Sequence, residues 1–157
     1  MRTFIAILIL LLALPAQAGT WGFGQFDNDE ALDRSSSWAD AGSVSDIQRS
    51  LEAIASLTYI EASEATTALV AAEVVAAAAG RPSPDLPTDL RVWIDRQSAQ
   101  ELVALAPAAK LAISKIVSAD GSELHELWAD ADLSDWLAAV AELSNRLAAI
   151  SPAVEPK

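Results

Sequence analysis

Glu61-Ala62-Ser63-Glu64-Ala65-Thr66-Thr67-Ala68-Leu69-Val70-Ala71-Ala72-Glu73-Val74-Val75-Ala76-Ala77-Ala78-Ala79 is the stretch that decides the architecture. Alanine dominates it, and Leu69, Val70, Val74 and Val75 fill most of what alanine leaves, so hardly any polar face remains. A helix that is apolar nearly all round belongs inside a protein, and its small side chains let neighbouring helices approach closely. Gly80 stops it, and Pro82, Pro84 and Pro87 form a stiff connection beyond. The pattern predicts a buried central rod over residues 61–79.

On the N-terminal side of the rod, Val44, Ile47, Leu51, Ile54 and Leu57 recur at spacings of three and four, which predicts an amphipathic helix lying on a core. Before it, Asp27-Asn28-Asp29-Glu30 has helix-start chemistry. Asp27 is expected to accept from amides of the first turn, with Glu30 completing a capping box, and a short helix to run to about Trp38. The polar run 34–37 weakens the middle of that helix. On the C-terminal side, Thr88 is expected to cap a helix carrying Leu90, Trp93 and Ile94 that ends near Ser98. Residues 100–118 follow as another helix, in which Pro107 either begins a second segment or makes a kink. Asp120-Gly121-Ser122-Glu123 stops one helix and starts the next, again with an acid three residues after a capping Asp. A short helix over 123–130 bears Leu124, Leu127 and Trp128, and the stripe of Trp136, Val140, Leu143, Leu147 and Ile150 predicts a last one over 134–150. No segment alternates with period two for long enough to argue a strand. The expected fold is all-α, a compact bundle of six or seven helices around the alanine-rich rod, occupying residues 19–151 as one domain with a short disordered tail at 152–157.

The N-terminus has a different logic. Arg2 precedes an unbroken apolar run over residues 4–14, Pro15 breaks it, and Ala16-Gln17-Ala18 offers the small residues that a signal peptidase reads. A membrane span needs about 20 apolar residues, and the chain turns polar directly after Ala18. Residues 1–18 are therefore expected to be a cleavable signal peptide. The protein is expected to be exported to the periplasm or the medium, and to keep no stable membrane anchor after cleavage. The sequence contains no Cys, so neither a lipid anchor nor a disulfide framework is available, and stability must come from packing. Without the signal segment the chain carries 9 basic and 22 acidic residues, a net charge near −13. Such a chain repels nucleic acid and anionic membrane, whose recognition needs Lys and Arg. The charge serves solubility, and points to a basic protein as partner if it points to one at all.

Between signal and helices lies Gly19-Thr20-Trp21-Gly22-Phe23-Gly24-Gln25-Phe26, too glycine-rich for a helix and too aromatic for a linker. The candidate binding residues are Trp21, Gly22, Gly24, Phe26, Asp27, Asn28 and Asp29. In one reading the glycines let a partner's backbone approach two aromatic faces. In the other, Trp21 and Phe26 plug the end of the bundle. The acids Asp27, Asp29, Glu30 and Asp33, with Asn28, have the ligand chemistry of a hard cation. Read as a calcium loop, however, they place Leu32 and Trp38 where Gly and Glu are needed, and Asp130, Asp132 and Asp135 fail the same test. No metal and no cofactor are expected. His125 is the sole histidine, with Glu123 and Asp120 close enough in sequence to pair with it. Neither a phosphate-cradling loop nor a nucleophile elbow is present, so no catalytic residue is named. The function expected is a non-enzymatic interaction module. The alternative is a cation-dependent hydrolase using the carboxylates of residues 27–33.

The opening from Gly19 through Asp33, with its Trp-Gly-x-Gly-x-Phe run followed by Asp27-Asn28-Asp29 and then Ala31 and Asp33, resembles the opening signature of the DUF4259 family of uncharacterised bacterial proteins. Tyr59-Ile60-Glu61-Ala62 with Ala72-Glu73-Val74-Val75-Ala76-Ala77 is similar to that family's central helix, and Ser122-Glu123-Leu124-His125-Glu126-Leu127-Trp128 with Trp136 to its C-terminal part. The resemblance implies a helical fold, no established activity and no catalytic residues to carry over. Two departures stand out. Members usually begin with the motif, whereas a signal segment precedes it here, and the first helix is unusually polar at 34–37.

Overall fold

Residues 22–150 are described by a computed structural model of the chain. The expected signal segment 1–18 and its cleavage point, Trp21 and the tail 152–157 lie outside them. Among the described residues eight helices follow one another: α1 (Asp29–Ala41), α2 (Val44–Ser56), α3 (Ala62–Ala78), α4 (Thr88–Ile94), α5 (Ala99–Val103), α6 (Ala106–Ile116), α7 (Glu123–Ala129) and α8 (Leu133–Ala148). The segment expected over 100–118 is two helices. The chain leaves α5 at Ala104, and Pro107 sits in the first turn of α6, where its lack of an N–H is harmless. None of the described helices is long and apolar enough to cross a membrane.

The alanine-rich rod is the centre. Every residue of α3 from 68 to 77 is buried, and the helix touches each of the other seven. Its end is a Schellman motif: Gly80 at φ 76° takes the left-handed conformation, its N–H donates to Ala77 O at 2.9 Å, and Arg81 N–H donates to Ala76 O at 2.9 Å. Its start is held from a distance, since Glu123 Oε2 accepts from Ala62 N–H at 2.8 Å. An isolated parallel bridge between Ile60 and Ser122 brings these two helix starts together. Ile60 N–H donates to Gly121 O, and Glu123 N–H to Ile60 O, both at 2.9 Å.

The stripes read from the sequence face this rod. Ile47, Leu51 and Ile54 of α2 are buried, as are Trp136, Val140, Leu143 and Leu147 of α8. Lys115 of α6 closes the C-terminal end of α2, donating to Ile54 O at 2.8 Å, Ala55 O at 3.0 Å and Leu57 O at 2.7 Å. The last carbonyls of a helix lack the regular amide partner, Ile54 O being met only by Leu57 N–H at 3.4 Å, and a charged donor on such groups contributes about 1.5–3 kcal/mol. At the other end of α2, the Ser43 hydroxyl and backbone N–H both donate to Asp46, holding its carboxyl below the usual range.

Several expected local details are corrected. Helix α1 runs to Ala41 rather than to about Trp38. Its polar middle is accommodated because Ser35, 1 % exposed, donates its hydroxyl to Ala31 O at 2.7 Å. Helix α4 stops at Ile94, short of Ser98, and Thr88 lies inside it after Pro87 rather than capping it. The cap of α7 is Ser122, which accepts from His125 N–H at 3.4 Å, and not Asp120.

One charge is sunk in the rod. Glu73 is 0 % exposed and is met by Arg146 of α8 through two bonds, Nη2 to Oε1 at 2.6 Å and Nη1 to Oε2 at 2.8 Å. Arg146 Nη1 also donates to Arg81 O at 3.0 Å, and Nε to both oxygens of Glu142 at 2.8 Å. Burial pushes the Glu73 carboxyl above its ordinary value, and the guanidinium pulls it part of the way back.

Candidate functional site

The loop before α1 is wound around Asp27. Its carboxylate accepts from Gly24 N–H at 2.9 Å, and its own N–H donates to Gly24 O at 3.1 Å. A Cβ added to Gly22 would lie 2.3 Å from Asp27 Oδ2, and one on Gly24 2.9 Å from the same atom. The two glycines thus make room for an acid inside the chain's own loop. Asp27 is not the helix cap. Asn28 takes that place, its Oδ1 accepting from Ala31 N–H at 2.8 Å, and the expected pairing of Asp27 with Glu30 is not formed. The Glu30 carboxylate instead accepts from the Ser63 hydroxyl at the start of α3. Phe26 is 4 % exposed and belongs to the core, the plugging role rather than the lip.

Next to this loop is a cavity of about 420 Å³. It is lined by Gly22, Phe23, Gly24, Gln25 and Asn28 of the loop and Asp29 and Glu30 of α1. Ala62, Thr66 and Leu69 of α3 line it too, with Leu124, Leu127 and Trp128 of α7 and Trp136 of α8. Its size falls within the range of small-ligand sites, about 300–1,000 Å³. The aromatic walls form a chain of contacts. Phe23 and Trp128 lie 5.3 Å apart between ring centroids, Trp128 stacks on Trp136 at 6.3 Å with the planes 10° apart, and His125 meets Trp136 edge-on at 6.2 Å. Trp136 is buried, Trp128 and Phe23 are half-buried, and Leu127 is 55 % exposed at the groove. Asp29 and Glu30 are both exposed, and none of the described lining residues is Lys or Arg.

Of the residues singled out from sequence, the structure brings Gly22, Gly24, Asn28 and Asp29 to this groove. It places Phe26 in the core and turns the Asp27 carboxylate into the loop. Trp21 is outside the described residues. Asp33 is exposed on α1. Among the described residues, no three of Asp, Glu and His come together to hold a metal ion. His125 does not pair with Glu123, whose carboxylate caps α3, and its ring packs on Trp136. Sequence reasoning missed Phe23, Gln25, Trp128 and Trp136 as parts of a site. Both tryptophans fall on stripes that read as core, and the signal available was that α7, bearing Leu124, Leu127 and Trp128, is only seven residues long. A helix that short cannot bury every apolar residue it carries.

A family model described as "Domain of unknown function (DUF4259)" matches residues 19–139 of the chain. Neither a curated protein nor a solved structure matches it.

Proposed function

From the premise that this chain belongs to the DUF4259 family, whose model covers residues 19–139, we propose that it is an exported, non-enzymatic binding domain. Its aromatic groove takes an apolar side chain from a basic protein partner. The carrying observation is the groove itself: aromatic walls from Phe23, Trp128 and Trp136 beside the exposed acids Asp29 and Glu30, with no basic residue among the described lining residues. Aromatic surface supplies affinity, while acidic surroundings favour a basic partner and repel an acidic one. The whole-chain charge of −12 extends that preference beyond the groove.

Support for export comes from register. The family match opens at residue 19, directly after the expected cleavage point at Ala18, so processing would leave the domain without added residues. Mass spectrometry of the exported form is expected to find Gly19 as its first residue, and a chain still beginning at Met1 would refute cleavage.

Binding is tested by calorimetry of the processed chain with the peptide Lys-Lys-Phe-Lys-Lys, blocked at both ends. Wild type is expected to bind at low salt and more weakly at high salt. Trp128→Ala, which removes a half-buried wall, is expected to weaken binding by about thirtyfold, the usual size of a central aromatic anchor. Absence of heat at both salt levels, or binding indifferent to Trp128, would remove the groove from the account. The cation-dependent hydrolase draws support only from Asp29 and Glu30 lining the same groove. The Asp27 carboxylate is already taken by Gly24 N–H, and that reading requires a calcium titration with measurable heat.

A further inference from the structure

Gln25 is 9 % exposed and lines the groove, yet its Nε2 is buried without any acceptor. Folded chains rarely leave a buried donor unpaired, because it loses water and gains nothing in return. Three nearby acceptors of its own loop are engaged elsewhere: Asp27 Oδ2 by Gly24 N–H, Gly24 O by Asp27 N–H, and Asn28 Oδ1 by Ala31 N–H. The other such atom among the described residues, Arg34 Nε, belongs to a guanidinium 5.9 Å from the Trp38 ring centroid and lines no part of this groove.

We propose that Gln25 is where the groove reads main chain. Its side-chain amide donates to a backbone carbonyl of an extended segment of the basic partner, whose apolar side chain seats among Phe23, Trp128 and Trp136 and whose lysine or arginine faces Asp29 and Glu30. This rests on the groove reading above and adds the identity of the acceptor. Lys, Arg and the apolar side chains carry no acceptor, so in a basic, apolar segment the carbonyls are what an amide donor can meet. An acidic side chain would bring an acceptor too, but beside Asp29 and Glu30 it meets like charge.

The signature is a substitution that improves the domain while harming its binding. Gln25→Met keeps length and volume and removes the polar group. It is expected to raise the Tm of the processed chain by roughly 3 °C or more and to weaken Lys-Lys-Phe-Lys-Lys by about tenfold. A peptide with an alkene in place of one of the two amides flanking the phenylalanine is expected to bind wild type more weakly, and to bind the variant no worse than the parent peptide does. A lowered Tm in Gln25→Met would mean that the amide already has a native partner, and would overturn the inference. So would unchanged peptide affinity in that variant while Trp128→Ala still weakens binding, a result that leaves the groove reading intact. Wild type without heat, or indifferent to Trp128→Ala, would sink both.

Discussion

Replacing Arg146 by methionine is expected to cost about 3 kcal/mol at pH 7, a large share of the roughly 5–15 kcal/mol that holds a domain folded. The argument runs through Glu73. That carboxylate is 0 % exposed within the apolar rod, and both of its oxygens are met by one guanidinium. Methionine keeps much of the packing of the arginine stem and removes every donor, so the carboxylate is left charged and dry, or protonated. Protonation sets a ceiling. An unfolded glutamate releases its proton near pH 4.5, and keeping it on at pH 7 costs about 3 kcal/mol. The sign follows from the raised carboxyl. A group whose folded pKa lies above its unfolded one adds stability below the unfolded value and loses it as pH climbs through the folded one. Wild type shows this weakly, because Arg146 opposes the effect of burial. In the variant the opposition is gone, so the deficit should shrink to about 1 kcal/mol or less at pH 5 and grow steadily toward pH 7. Chemical denaturation of both chains at the two pH values measures it. Glu73→Leu combined with Arg146→Met is expected to recover most of the stability and to lose the extra pH dependence, since a well-packed apolar pair replaces a buried ionic one at little cost. A deficit equal at pH 5 and pH 7 would show that Glu73 is not its source.

Glu73 also marks where the sequence stops being legible. The rod was readable because its composition leaves hardly any polar face, and residues 68–77 are all buried. An isolated acid inside that run carries no sign of its partner, which stands 73 positions away on another helix. Only the pair of Glu142 and Arg146, four apart on α8, is visible locally, and it is the more exposed half of the network. Caps were half legible for a related reason. Asp27 and Asn28 both have the chemistry, and the choice fell to Asn28 because Gly22 and Gly24 allow the Asp27 carboxylate to fold back onto Gly24 N–H, a close approach that spacing does not encode. The groove was legible at its loop edge and illegible at its walls. Periodicity places Trp128 and Trp136 on stripes, but how deep each lies depends on the meeting of α3, α7, α8 and the loop. Glu123 and the Ile60–Ser122 bridge fix one such junction, between the starts of α3 and α7.

That difference in depth predicts unequal stability losses for two chemically identical truncations. Trp136→Ala is expected to cost about 3–5 kcal/mol, the range for a buried aromatic, because the ring is 3 % exposed and its removal opens a cavity against Trp128 and His125. Trp128→Ala removes the same indole from a half-buried position at the groove and is expected to cost about 1–2 kcal/mol, much of it the lost contacts with Phe23 and Trp136. The two should therefore separate by measurement. Trp128→Ala loses peptide affinity with a modest fall in Tm. Trp136→Ala loses both, since the wall it removes is also what Trp128 stacks on. Indole fits the space so vacated, so free indole is expected to raise the Tm of Trp136→Ala in proportion to the logarithm of its concentration, and by more than it raises that of wild type. Equal destabilisation by the two substitutions, or a Trp136→Ala chain indifferent to indole, would mean that Trp136 is not the packed floor on which the groove is built, and the affinity ascribed to its walls would need another source.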